Sequence, residues 1–280
     1  MIILSHYEAQ PIYALSKFGD GEVETSLDLG ITTSKVRIEG GKLHFPSGES
    51  CQVSELQKII KDEKSCFFLD GSEFKKVAVF SEETNLYYKL FPTGGAPTIE
   101  ISGIRMHRTK DMSPWEDSQS KISSLGSIFG KVLDTCTGLG YTAILASKNA
   151  EEVHTFEKDK AVLKLQRINP WSRELFSNKK IILHEESIIS GINSFRDDYF
   201  DFIIHDPPSI LIAGELYSDD FYKKLYLKLK QGGYIYHYTG KPGSKFRNVD
   251  LMGSVAKRFR RIGFKNVVCE EKVLGVLARK

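Results

Sequence analysis

The sequence predicts an α/β protein in which a mostly parallel sheet, finished at one edge by an antiparallel hairpin, follows a small β-rich domain. Three observations carry this. From residue 131 onward, apolar runs of strand length alternate with stretches of helical periodicity. Three of those runs end on acids, Asp134, Glu157 and Asp206, two of which open into a glycine-rich or a Pro-Pro turn. Before residue 104 the chain instead shows short alternating runs separated by turn residues, with one helical stretch.

In this first part, strands are expected at 22–29, 35–39, 42–45, 66–69, 75–80, 85–90 and 98–101. Gly40-Gly41 and Asp70-Gly71 read as hairpin turns, and 92–97, with two prolines and two glycines, as a loop. A helix over 53–63 places Leu56, Ile59 and Ile60 on one face, with Ser54 as its cap. Residues 1–104 form the expected first domain, a candidate for substrate recognition. Residues 105–121 join it to a second domain spanning 105–280, which begins with a helix near 118–125.

The second part predicts, in order, strand 131–135, helix 140–148, strand 152–157, helix 159–168, strand 180–184, helix 186–194, strand 201–205, helix 218–230, strand 233–238 and helix 249–261. Strands at 265–270 and 273–278 follow. Alternation of this kind makes a parallel sheet covered by helices on both faces. The last two strands leave no room for a crossover helix, so they pair antiparallel.

The turn Asp134-Thr135-Cys136-Thr137-Gly138-Leu139-Gly140-Tyr141 lets backbone amides approach a ligand closely. A nicotinamide or flavin fingerprint is incomplete here, because no third glycine follows and Ile144 is already in an apolar helix. The turn matches the first motif of S-adenosyl-L-methionine (SAM) methyltransferases. Glu157, 23 residues after Asp134, stands where a carboxylate accepts the hydrogen bonds of a ribose diol. Asp206-Pro207-Pro208-Ser209 stops an apolar strand, since two prolines cannot continue it, and leaves Asp206 at the sheet's carboxyl edge. It resembles the Asp/Asn-Pro-Pro-aromatic motif of methyltransferases that alkylate exocyclic amino groups.

Together with Pro114-Trp115-Glu116-Asp117-Ser118, residues 213–222 and residues 232–240, these motifs resemble an archaeal family of predicted class I SAM-dependent methyltransferases, across most of the chain. The resemblance implies a Rossmann-like fold and SAM as cofactor, but no substrate. The two-domain plan is also similar to that of certain ribosomal RNA methyltransferases. Some of those use a cysteine nucleophile on carbon. Here no cysteine follows Asp-Pro-Pro, Cys136 belongs to the cofactor turn and Cys269 to an edge strand, so thiolate addition is disfavoured.

On this reading Asp134, Thr135, Gly138, Gly140 and Tyr141 take the methionine end of SAM, Glu157 the ribose, Lys158 the flank of the adenine pocket, and Glu186, or adjacent Glu185, the adenine amino group. Asp206 orients an acceptor amine, with Pro207 and Pro208 fixing its backbone. Ser209, Glu215, Tyr217 and His237 are candidate acceptor contacts, His237 being equally readable as a satisfied strand histidine. Ser209 replaces the aromatic that would stack on a flat base. Trp115 and Lys121 are candidates to fold over the cofactor; core packing for Trp115 and solvent for Lys121 are the plainer expectations.

Composition excludes other classes. No apolar run approaches the roughly 20 residues of a membrane helix, and the apolar start is too short for a signal peptide, so a cytoplasmic protein is expected. Four scattered cysteines, Cys51, Cys66, Cys136 and Cys269, predict neither a metal site nor a disulfide framework. Residues 1–112 carry 13 Lys and Arg against 16 Asp and Glu, leaving this part at −3 and the remainder at +6. Lys241, Lys245, Arg247, Lys257, Arg258, Arg260, Arg261 and Lys265 face only Asp250 in sequence, which suits either RNA phosphates or a solvated helix. An RNA acceptor follows from this stretch and the two-domain plan. A small molecule or a protein side chain follows from Ser209 and the acidic first domain.

Overall fold

The computed structural model describes residues 1–210, 212–240 and 250–280. The chain forms two compact units, one of Met1–Pro114 with Lys160–Arg173, the other of Trp115–Asp159 with Glu174–Lys280. The first unit thus runs past residue 104 and takes in a segment from far along the chain.

The first unit contains β1 (Ile3–Leu4), α1 (His6–Ser16), β2 (Gly21–Thr25), β3 (Ser34–Glu39), β4 (Lys42–His44), β5 (Ser50–Gln52), α2 (Leu56–Lys61), β6 (Phe67–Asp70), β7 (Glu73–Lys76), β8 (Ala78–Ser81), β9 (Leu86–Phe91), β10 (Thr98–Ile101) and β11 (Ile104–Arg105). They pair as three antiparallel sheets, β1-β6-β7, β2-β3-β4-β5 and β11-β10-β9-β8. Gly40 and Gly41 both have positive φ, 56° and 77°, which a two-residue hairpin turn requires. The run expected at 75–80 is split at Val77, so that β7 and β8 lie in different sheets. Ser54 does not cap α2: it sits inside a 3-10 turn, Val53–Glu55, that leads into the helix. Helix α1 was not foreseen, because Pro11 lies within it. Its signature is a capping box, in which Ser5 N–H and Oγ–H both donate to Glu8 Oε2, at 2.8 and 2.6 Å.

The second unit follows as α3 (Pro114–Ser124), β12 (Lys131–Asp134), α4 (Tyr141–Ser147) and β13 (Glu152–Phe156). Next comes α5 (Lys160–Ile168), which packs on β8 and β9 and so belongs to the first unit. Trp171, just beyond α5, donates from Nε1 to the Leu29 carbonyl at 2.9 Å within that same unit. The second unit resumes with α6 (Glu174–Ser177), β14 (Ile181–His184), α7 (Ile188–Gly191), β15 (Phe200–His205), α8 (Asp219–Lys228), β16 (Leu229–Tyr238), α9 (Leu251–Ile262), β17 (Lys265–Glu270) and β18 (Gly275–Arg279).

Its seven strands form one sheet in the order β14-β13-β12-β15-β16-β18-β17. All neighbours are parallel except β18, which runs antiparallel to both β16 and β17. Successive residues of a strand face opposite sides, so Val132, Phe202 and Ile204 enter one core cluster while Leu133 and Ile203 enter the other. The strand order reverses at β12, whose neighbours are β13 and β15. Open sheets of this kind bind ligands in the crevice beyond the carboxyl ends at such a reversal. Among the described residues no helix is long and apolar enough to cross a membrane.

Candidate active site

Asp134, Glu157 and Asp206 stand at or just past the carboxyl ends of the neighbouring strands β12, β13 and β15. Asp134 is fully buried. Its Oδ2 accepts from Thr155 Oγ1 at 2.8 Å, and Thr142 Oγ1 lies 3.3 Å from both oxygens. Burial, with Asp206 nearby, pushes its carboxyl up to about 7.

The turn after β12 depends on its glycines. Gly138 and Gly140 have φ of 52° and 80°, a region that side chains other than glycine enter only under strain. A Cβ on Gly140 would come within 2.3 Å of Leu175 Cδ1, so Gly140 also lets α6 approach. A Cβ on Gly138 would meet nothing within 4 Å: this peptide borders open space. The Gly138 N–H donates to Glu157 Oε2 at 3.1 Å, and the Asp159 N–H donates to Oε1 at 2.9 Å. Burial pushes Glu157 up to about 7. With the Lys158 backbone bearing on it as well, the carboxylate still has lone-pair capacity for a further partner.

The other residues of the turn are engaged within the fold. Tyr141 opens α4 with its ring buried edge-on against Trp115, 5.5 Å between centroids. Trp115 is thus part of the core flank. Thr135 Oγ1 lies 2.7 Å from His205 Nδ1, and His205 Nε2 lies 3.0 Å from the Leu216 carbonyl. A carbonyl only accepts, so Nε2 carries the proton, and Thr135 donates its hydroxyl to Nδ1. Burial lowers His205 to about 3, which keeps it neutral. The Thr135 side chain is therefore committed to His205. Cys136 is held by burial as a thiol, well above its ordinary range.

Around Asp206, Pro207 is buried, Pro208 half-buried and Ser209 exposed. Tyr217 is buried and donates from Oη to the Pro208 carbonyl at 3.0 Å, bracing the turn from the segment behind it. Asp206 Oδ2 accepts from Lys121 Nζ at 2.7 Å, and that lysine is 1% exposed. The expectation of a solvated Lys121 is corrected here: its ammonium sits between Asp206 and Asp117, because a charge so placed is stable only among opposite charges.

Two other expectations change. His237 is fully buried on β16, with Nε2 2.7 Å from Tyr222 Oη and its ring 4.3 Å from His205, so its side chain does not reach an acceptor at the surface. Arg258 and Arg261 are not unopposed: both pair with Asp219 at the start of α8, and Arg258 donates also to the Tyr217 carbonyl. Arg260 donates to the Val267 carbonyl at 2.9 Å. Lys257 and Lys265 are exposed, while Lys241, Lys245 and Arg247 lie outside the described residues. Farther along the edge, exposed Lys158 and Glu215 pair at 3.3 Å. Glu185 and Glu186 are exposed before α7, Glu186 accepting from Ser190 Oγ at 3.4 Å. Among the described residues no group of three or more His, Cys, Asp or Glu is placed to hold a metal ion.

A Rossmann-like fold is shared with spermidine synthase. The structure of that enzyme from Thermotoga maritima superposes with a TM-score of 0.57 at 18% identity, over 74% of this chain and 75% of that one. A spermidine synthase in complex with the transition-state analogue AdoDATO gives 0.58 over the same shares. No protein-family model matches the sequence. The chain belongs to the family of the uncharacterized protein MJ1233 of Methanocaldococcus jannaschii, with which it is 47% identical over 265 residues, 92% of this chain and 90% of that protein.

Proposed function

We propose that the protein is a SAM-dependent methyltransferase that transfers the methyl group to an amino nitrogen. The observation that carries this is the placement of three carboxylates, Asp134, Glu157 and Asp206, on adjoining strand ends, with Gly138, bordering open space, bonded to one of them. The donor set suits SAM: Glu157 has lone pairs left for a ribose diol, Asp134 offers a carboxylate near the amino end, and the Gly138 peptide leaves room for the ligand backbone. Bound SAM would supply an electrophilic methyl on its own leaving group, so the protein has only to orient a nucleophile in line. Asp206 does this by accepting a hydrogen bond from the acceptor amine, turning its lone pair inward and taking its proton. Pro207, Pro208 and the Tyr217 brace hold Asp206 in place.

RNA is the acceptor the basic stretch supports. That support narrows, since Arg258 and Arg261 are engaged by Asp219. A small amine is the second reading, favoured by the exposed Ser209, which cannot stack on a base, and by a fold shared with an enzyme named for a polyamine product. Isothermal titration with SAM tests the cofactor, alone and with Glu157→Ala. Undetectable binding to the unmodified protein would overturn the proposal. Methyl transfer from labelled SAM into RNA, protein and small-molecule fractions then separates the acceptors.

A further inference from the structure

Helix α3 brings a lysine to the Asp-Pro-Pro turn. Lys121 Nζ donates to Asp206 Oδ2 at 2.7 Å and lies 2.9 Å from Asp117 Oδ2, one helical turn back. It also stands 4.6 Å from the centre of the Tyr238 ring at the end of β16. An ammonium this deeply buried costs several kcal/mol to desolvate and persists only with compensating partners. Here two carboxylates and an aromatic face compensate, and they hold Lys121 above the ordinary lysine range in spite of its burial.

The arrangement acts on Asp206 in two ways. It pins one oxygen: Oδ2 is taken by Lys121, whereas among the described residues no group donates to Oδ1, and 19% of the side chain remains exposed. It also bears on the charge. Burial, the largest effect, together with the Asp117 carboxylate lifts the Asp206 carboxyl above its ordinary range, and Lys121 limits the rise. Among the described residues, the other titratable groups that bear on this turn, Asp134, Cys136, Tyr217 and Tyr238, bring no positive charge.

We infer that Lys121 is a positioning residue for the transfer: it fixes Asp206 through Oδ2, opposes its protonation, and leaves Oδ1 to receive the proton of the acceptor amine. Asp117 in turn anchors Lys121. This rests on the reaction proposed above.

Two substitutions with opposite signs test it in the full chain. Lys121→Met keeps the apolar stem and removes the charge; Asp117→Asn leaves Asp206 as the one carboxylate paired with Lys121 among the described residues. A carbon-13 titration of the Asp206 carboxyl, without cofactor, moves up by roughly one pH unit or more in Lys121→Met and down in Asp117→Asn. In turnover assays the acid limb of kcat for Lys121→Met moves up with it, activity recovers at high pH, and Lys121→Arg restores the original profile. An Asp206 titration unchanged in both variants, or a loss of kcat in Lys121→Met equal at every pH, overturns the inference. A protein that shows the carboxyl shifts but no heat of SAM binding would retain the Lys121 to Asp206 coupling and lose the proposed reaction.

Discussion

Lys121 and Asp206 are 85 positions apart in sequence and 2.7 Å apart in the fold. The Asp-Pro-Pro turn is therefore not a self-contained motif, because its acid is paired with a lysine of a helix that precedes the whole sheet.

Removing the carboxylate itself tests the central role. Asp206→Ala is expected to lower kcat by roughly 10²- to 10⁴-fold, the usual contribution of a positioned proton acceptor. SAM affinity by calorimetry changes little if Asp206 acts on the acceptor as proposed. An equal loss in affinity would move Asp206 from the reaction to the cofactor.

Asp134 gives the free protein a pH signature. Its folded value, about 7, lies above the ordinary 3.8. The folded state thus binds the proton more tightly than the unfolded chain, and the stability this provides is full below about 4 and lost as pH rises through 7. Thermal unfolding without SAM is expected to show the melting temperature of the unmodified protein falling between pH 4 and 7 more steeply than that of Asp134→Asn. Parallel curves would contradict the assignment.

The two glycines of the turn separate stability from binding. Gly140→Ala meets Leu175 and takes an unfavourable φ, which should cost roughly 1–3 kcal/mol by urea denaturation. Gly138→Ala meets no atom and should cost about 1 kcal/mol through φ alone, while weakening SAM binding more than Gly140→Ala does.

The arginines of α9 offer a test of the RNA acceptor. Arg258→Ala and Arg261→Ala release Asp219, so they are expected to lower the melting temperature and leave RNA retention on a filter unchanged. A drop in retention with a shallower salt dependence would show that these side chains meet phosphates.

Much of the second unit was legible because its signals are local. Strand-length apolar runs, the acids that end them and the Pro-Pro stop are each readable within ten residues, and β17 and β18 pair as their short connection requires. Helix α1 hid behind Pro11, although Ser5 and Glu8 carried its start. Three features lay beyond any local signal. Lys121 looked solvated until Asp117 and Asp206 enclosed it, Arg258 and Arg261 looked unopposed until Asp219 met them from α8, and α5 belongs with strands some 80 residues earlier. Each is a pairing across the fold, which charge counting along the chain does not register.

The terminal hairpin bears on how the sheet comes together in time. Strand β17 is made before β18 yet lies outside it, with no other neighbour in the sheet among the described residues. As the chain is synthesised, Lys265–Glu270 has nowhere to dock until Gly275–Arg279 has slotted in beside β16. A nascent chain halted between them would carry an unpaired edge at β16, a template for pairing with other chains.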